Sequence, residues 1–262
     1  MNSSRWISLS GAVNARDLGD LPLIGGGAVR PGRLYRSDNL QDLTAEDVEL
    51  LVRQLQLRSV VDLRTGAEVR NEGPGPLVGV PEVTVHHLSL FPEVGHRTDA
   101  ATEVDGPELL PWQDTSSERG KRAAGSTYRY YLADRPDSVI AALRVIAEPD
   151  GATLVNCAAG KDRTGVIVAL ALSEVRVERA AIVEDYVATA ERIDKVLVRL
   201  ASSRTYAADT DPADVDNHRP RAATMQRLLA ELDETEGGPT GWLRSHGWTE
   251  DDATALRTRL LD

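Results

Sequence analysis

The chain's single cysteine, Cys157, closes a short apolar run at residues 152–157 and stands six positions before Arg163. Ala158, Ala159, Gly160, Lys161 and Asp162 lie between them, and Thr164, Gly165 and an apolar run to Leu172 follow. The pattern reads as a strand, a tight glycine-containing loop and a helix. Such a loop aims successive backbone N–H groups into one concavity, and the helix start adds about half a positive charge, so together they cradle a phosphate or sulfate. The same field favours the thiolate, which is the nucleophilic form of cysteine. If the loop curls round a tetrahedral anion, the planar fork of Arg163 grips two oxygens while Cys157 faces the phosphorus. Thr164 is placed to donate to the sulfur and make it a better leaving group. The bland alternative is a buried small cysteine near an unrelated arginine, and the surrounding strand, glycine and helix argue against it.

Breaking a phosphate ester also needs a carboxylic acid within reach of the leaving oxygen. Asp162, inside the cradle and next to Arg163, is the preferred donor. Glu93, following Phe91 and Pro92, and Asp114, in Pro111-Trp-Gln-Asp114, are the alternatives by position. Lys161 is one of three lysines among 30 basic residues, and it reads as reaching across the cradle toward a second anionic group.

Positioning this loop requires a sheet and its helices. Residues 59–64 read as a buried parallel strand, with Asp62 and Arg64 emerging at its carboxyl edge. Residues 83–90 read as another strand, in which His86 and His87 point to opposite faces and cannot chelate one metal together. A helix is expected over 43–55, capped by Thr44 and Asp47 with Leu43 and Val48 as a staple. A second is expected from Asp137 to Glu148, with Asp137 or Ser138 as its cap. Gly25-Gly26-Gly27 reads as a turn, since it lacks the spacing of a dinucleotide-binding loop. Residues 92–127 read as a long loop or lid. Tyr128, Tyr130 and Tyr131 after it either line an aromatic slot or pack a helix face on the core.

Residues 177–200 read as one long amphipathic helix, 202–219 as an acidic connection flanking the pocket mouth, and 220–262 as two or three further helices. Arg36 and Arg64 read as ion-pair partners at the sheet edge ahead of substrate contacts. The whole chain, 1–262, reads as one α/β domain: a mostly parallel sheet of four or five strands flanked by helices, with 177–262 as its helical C-terminal part.

Composition narrows the function. The 262 residues are 41% hydrophobic and 27% charged, ordinary for a globular protein. A net charge of −11 argues against nucleic acid as a partner. One cysteine rules out an internal disulfide and fits a reducing compartment. No run approaches the roughly 18 apolar residues of a membrane span, and the first residues lack the apolar core of an export signal, so a soluble cytoplasmic protein is expected.

Asn156-Cys-Ala-Ala-Gly-Lys-Asp-Arg-Thr-Gly165 resembles the signature loop of the cysteine-dependent protein tyrosine phosphatases, in the Gly-Lys-Asp-Arg form of a bacterial tyrosine and dual-specificity group. Asn14-Ala-Arg-Asp-Leu-Gly19, Arg30-Pro-Gly-Arg-Leu-Tyr-Arg-Ser37, Val61-Asp-Leu-Arg64, Ile182-Val-Glu-Asp-Tyr186 and Gly241-Trp-Leu resemble other segments of that group, with 92–127 the least matched. The resemblance implies hydrolysis of phosphotyrosine, and often of phosphoserine, phosphothreonine or phosphoinositides, with no metal or other cofactor. It places the nucleophile on Cys157, the phosphate clamp on Arg163, and the loop lysine and aspartate on Lys161 and Asp162. The departure is Asn156, where a histidine that orders the loop is usual; an amide still donates a hydrogen bond. The expected reaction is phosphomonoester hydrolysis through a phosphocysteine. Loop residues Ala158, Ala159, Gly160, Thr164 and Gly165 would hold the phosphate, with Asn156, Glu93, Arg64 and Tyr128 around them. Two alternatives stand beside a phosphoprotein or phosphoinositide substrate: a small phosphorylated metabolite, or a phosphate-binding module that has lost turnover.

Overall fold

The chain's short apolar runs pair into a five-stranded sheet in the computed structural model, which describes residues 5–73, 75–92, 110, 128–148 and 150–261. The strands are β1 (Arg16–Asp17), β2 (Leu34–Ser37), β3 (Leu57–Asp62), β4 (Thr84–His87) and β5 (Ala152–Asn156), in the order β1-β2-β5-β3-β4. Only β1 runs antiparallel to its neighbour. All of β5 is buried, as befits a central parallel strand covered on both faces, and this explains its unbroken apolar run. Ser37 of β2 and Asp62 of β3 both pair with Asn156 of β5. Three strands therefore deliver their last residues to one carboxyl edge, where open α/β sheets take ligands.

Strand β3 ends two residues before the expected limit because Thr65 begins a new element. Thr65 and Glu68 form a capping box that starts α2 (Gly66–Glu72), a helix the apolar periodicity did not announce. The expected capping box of Thr44 and Asp47 starts α1 (Ala45–Glu49). That helix does not continue as α to residue 55: its last turn widens to a π-helix, Leu50–Gln54. The wider turn sets Leu51 and Val52, adjacent in sequence, together in the core cluster on that side of the sheet.

The remaining helices are α3 (Arg129–Asp134), α4 (Pro136–Ala147), α5 (Asp162–Glu174), α6 (Arg179–Ala188), α7 (Ile193–Ser202), α8 (Val215–His218), α9 (Ala222–Glu236), α10 (Gly238–Ser245) and α11 (Glu250–Leu261), of which all but α7 and α8 contribute to the larger core cluster. Helix α4 starts at Pro136 and not from an Asp137 or Ser138 cap. Proline suits a first helical position because its missing N–H would have had no partner there. Asp137 instead pairs with Arg135 at 2.9 Å. Helix α5 is buried on nearly every face, which a helix apolar all round requires, and it packs against β5, α4, α6, α10 and α11.

The expected single helix over 177–200 is two helices. The turn Thr189–Glu191 and Arg192 separate α6 from α7. Thr189 is fully buried there, and its hydroxyl accepts from Arg16 Nη2 at 3.1 Å. That bond anchors the chain where it changes direction. Among the described residues, no helix is long and apolar enough to cross a membrane.

Asp47 does more than cap α1: its carboxylate also accepts from the backbone N–H groups of Ser10 and Gly11, each at 2.8 Å. Replacing it with alanine leaves these donors without partners as well as the helix end. Asp47→Ala is expected to lower stability by about 2 kcal/mol, read as a lower urea midpoint at unchanged slope.

Candidate active site

Between β5 and α5 the chain turns through Cys157, Ala158, Ala159, Gly160 and Lys161. Gly160 adopts φ of +65° and packs so closely on β2 that an added Cβ would lie 2.4 Å from Ser37 O. No other residue satisfies both the left-handed backbone and that approach. Gly165 has a different role. It sits within α5 against Tyr186, where an added Cβ would come within 3.0 Å of the ring, so it is a packing glycine.

Cys157, 2% exposed, contributes to the lining of a cavity of about 400 Å³ with Ala158, Ala159, Lys161, Asp162 and Arg163. The opposite wall is largely apolar, made by Phe91, Tyr131, Tyr206, Ile193, Leu197 and Leu200. Asp209, Thr210 and His218 complete the lining, so the acidic connection flanks this pocket as expected.

Arg163 has a buried protein partner that the sequence analysis did not name. Its Nη1 and Nη2 donate to the two oxygens of Glu68 at 2.6 and 2.8 Å. Glu68 is fully buried, and Tyr206 donates to it at 2.8 Å. Burial by itself would raise the Glu68 carboxyl. The charge of Arg163 and hydrogen bonds from Arg163, Thr65 and Tyr206 outweigh burial and hold it below its ordinary value. The pair fixes the plane of the guanidinium beside the cysteine. Glu68 escaped the sequence reading, although the Thr65-x-x-Glu68 capping signature was there to be seen.

Asp162 opens α5 with its side chain about one third exposed in the cavity. Tyr128 donates a very short hydrogen bond to it, and Tyr186 donates to Tyr128 at 2.6 Å. Burial first, then Asp162 and Tyr186, push the Tyr128 hydroxyl far above its ordinary value, so this donor keeps its proton. Of the two readings for the tyrosines, Tyr131 lines the cavity while Tyr128 packs behind it and orients Asp162. Lys161 does not span the cradle: Nζ donates to His218 O at 2.9 Å and stands 3.5 Å from Asp162. That contact ties the acidic connection to the loop.

Thr164 does not donate to the sulfur. Its hydroxyl is buried without a hydrogen-bond partner, and Gly160 O, the carbonyl one helical turn back, is already held by Arg36 at 2.7 Å. Gly160, Thr164 and Gly165 do not line the cavity. Asn156 directs its amide to Asp62 at 3.5 Å, away from the loop, and its oxygen is unpartnered. Arg64 is bound to Asp62 through Nε and Nη2, as the ion-pair reading expects. Arg36 is likewise paired with buried Asp185 at 2.7 Å. Glu93 and Asp114 lie outside the described residues.

A cysteine before a helix start, a clamped arginine and a carboxylic acid line one cavity. The chain matches the tyrosine phosphatase family over residues 7–262 and belongs to it. The protein is a phosphatase. It is 30% identical to the triple specificity protein phosphatase PtpB of Mycobacterium tuberculosis, over 97% of this chain and 98% of that one. It is 36% identical to a tyrosine-protein phosphatase of Nostoc commune, over 89% of this chain and 76% of the relative.

Because Glu68 is held below its ordinary value of 4.5 in the folded state, its stabilising contribution is complete above that pH and is lost as pH falls through the folded value. Thermal melts from pH 6 to 3 are expected to fall more steeply for the wild type than for Glu68→Gln. At pH 7 the variant is less stable by about 3 kcal/mol, since it leaves Arg163 buried without its counter-charge.

Proposed function

We propose that the protein dephosphorylates phosphotyrosine, and phosphoserine and phosphothreonine as well, through a phosphocysteine intermediate and without a metal. The observation that carries this reading is the convergence of Cys157, Asp162 and Arg163 on one cavity at the start of α5. In the first step the Cys157 thiolate attacks phosphorus. The S–P bond forms as the ester P–O bond breaks, and Asp162 gives its proton to the leaving oxygen. Loop amides and Arg163 stabilise the charge on the equatorial oxygens. In the second step water attacks phosphorus, Asp162 takes its proton, and the S–P bond breaks to release orthophosphate and the thiolate. Tyr128 holds the Asp162 carboxyl toward the substrate throughout.

The apolar wall of Phe91, Tyr131 and Tyr206 suits an aromatic phosphate ester, and likeness to a triple specificity protein phosphatase and a tyrosine-protein phosphatase supports a phosphoprotein substrate. The net charge of −11 disfavours nucleic acid as a partner. A reducing compartment, the cytoplasm, keeps the sole thiol active, and we place the enzyme there.

Hydrolysis of p-nitrophenyl phosphate at pH 5 to 8 is expected to survive EDTA and to fall at least about 10⁴-fold in Cys157→Ser. Undiminished turnover in that variant would sink the reading. Asp162→Asn is expected to lose about 10²- to 10⁴-fold in kcat on phosphoserine peptides and less on p-nitrophenyl phosphate, whose leaving group departs without a proton. Relative kcat/KM across phosphopeptides, phosphoinositides and sugar or nucleoside phosphates identifies the substrate class; a metabolite that outcompetes every phosphopeptide would replace the protein substrate.

A further inference from the structure

We propose that Arg36 and Asn14, neither of which lines the cavity, position the phosphate loop by holding its carbonyl groups outward. The proposal rests on the reading of this loop as the phosphate cradle. In a trans peptide the C=O and the following N–H point in opposite directions within one rigid plane. Whatever fixes a carbonyl away from the cavity therefore turns the next amide toward it.

The loop carbonyls are fixed in turn. Ala158 O accepts from Asn39 N at 3.0 Å, which orients the N–H of Ala159. Ala159 O accepts from Asn14 Nδ2 at 2.9 Å, which orients Gly160. Gly160 O accepts from Arg36 Nη2 at 2.7 Å, which orients Lys161. The same nitrogen lies 3.4 Å from Lys161 O, which also accepts from Gly165 N at 2.9 Å. Without these donors the peptide planes beside Gly160 would be free to flip, since glycine carries no side chain to resist it.

Both positioning side chains are themselves held rigidly. Asn14 Oδ1 accepts from Arg16 Nη1 at 2.6 Å, and the Asn14 backbone N–H donates to Asp38 at 3.0 Å. Arg36 shares the carboxylate of Asp185 with Arg16 at 3.1 Å and Arg5 at 2.9 Å. Arg16 and Arg36 are each 1% exposed. Three guanidinium groups on one carboxylate leave an excess of positive charge behind the loop, whereas a purely structural pair would balance one for one. In a poorly screened interior that excess adds to the helix dipole and favours an anion in front of the loop. It also supplies a cationic environment behind a loop that has Asn156 and no histidine.

The test uses the full chain with Asn14→Ala, Arg36→Lys and Arg36→Gln. Orthophosphate affinity is measured as protection of Cys157, the sole cysteine, from alkylation by iodoacetamide, with thermal melts recorded alongside. Asn14→Ala and Arg36→Lys are expected to bind phosphate about tenfold more weakly, each losing a hydrogen bond that holds a loop carbonyl. Arg36→Gln, which also loses the charge, is expected to fall further and to alkylate more slowly at pH 6, a change that Arg36→Lys largely rescues. Folded variants with wild-type phosphate affinity and alkylation rate would overturn the inference. If the Arg36 variants fail to fold, Asn14→Ala decides it by the same criterion. A wild type whose thiol phosphate does not protect would overturn the cradle reading itself, and this inference with it.

Discussion

Asp185 is the constraint on which the site depends. It is fully buried in α6 and faces three arginines. Burial alone would raise its carboxyl, but Arg16, Arg36 and Arg5 outweigh burial and hold it well below the ordinary range. Burial also pulls Arg16 down to about 10 despite the carboxylate. Asp185 and Arg16 therefore both stay charged at neutral pH. A buried ion cluster of this kind is poor evidence for stability, because desolvation offsets most of the attraction. Its value lies in geometry, since it locks β1, β2, α6 and the loop after β5 into one arrangement.

A second buried pair, Glu68 and Arg163, does the corresponding work on the other side of the cysteine. Glu68 both caps α2 through Thr65 and holds the guanidinium of Arg163. The start of α2 is therefore mechanically joined to the cavity. Tyr206 joins the same carboxylate, Ser203 bonds Glu72 of α2, and Lys161 holds His218 O. The stretch from Ser203 through α8 is thus fastened to α2 and to the loop after β5 by polar contacts, while Ile193, Leu197 and Leu200 of α7 supply the pocket's apolar wall. Charge and apolar surface meet around Cys157 because each wall comes from a different part of the chain.

The strand, loop and helix around Cys157 were legible because all their determinants are local. An apolar run, a glycine and a second apolar run occupy neighbouring positions, and β5, the loop and α5 follow them closely. The capping boxes of α1 and α2 are equally local, although only the first was read. What escaped were departures imposed by packing. The π turn at Leu50–Gln54 and the break at Thr189–Glu191 each answer to groups distant in sequence or to the needs of a buried face.

The sequence by itself determined that a thiol, an arginine and a carboxylic acid stand together, because groups within seven consecutive residues carry their spacing with them into any fold. The tertiary structure alone decided how that loop is held. Asn14, Arg36, Glu68 and Asp185 belong to four separate segments, and no periodicity relates them to Cys157. They come together only when β2, β3 and β5 align at the carboxyl edge of the sheet and α6 closes behind it. A buried charge finds its partner by proximity in space and by the need to leave no ion unpaired in a poorly screened interior, and neither condition is written in local sequence.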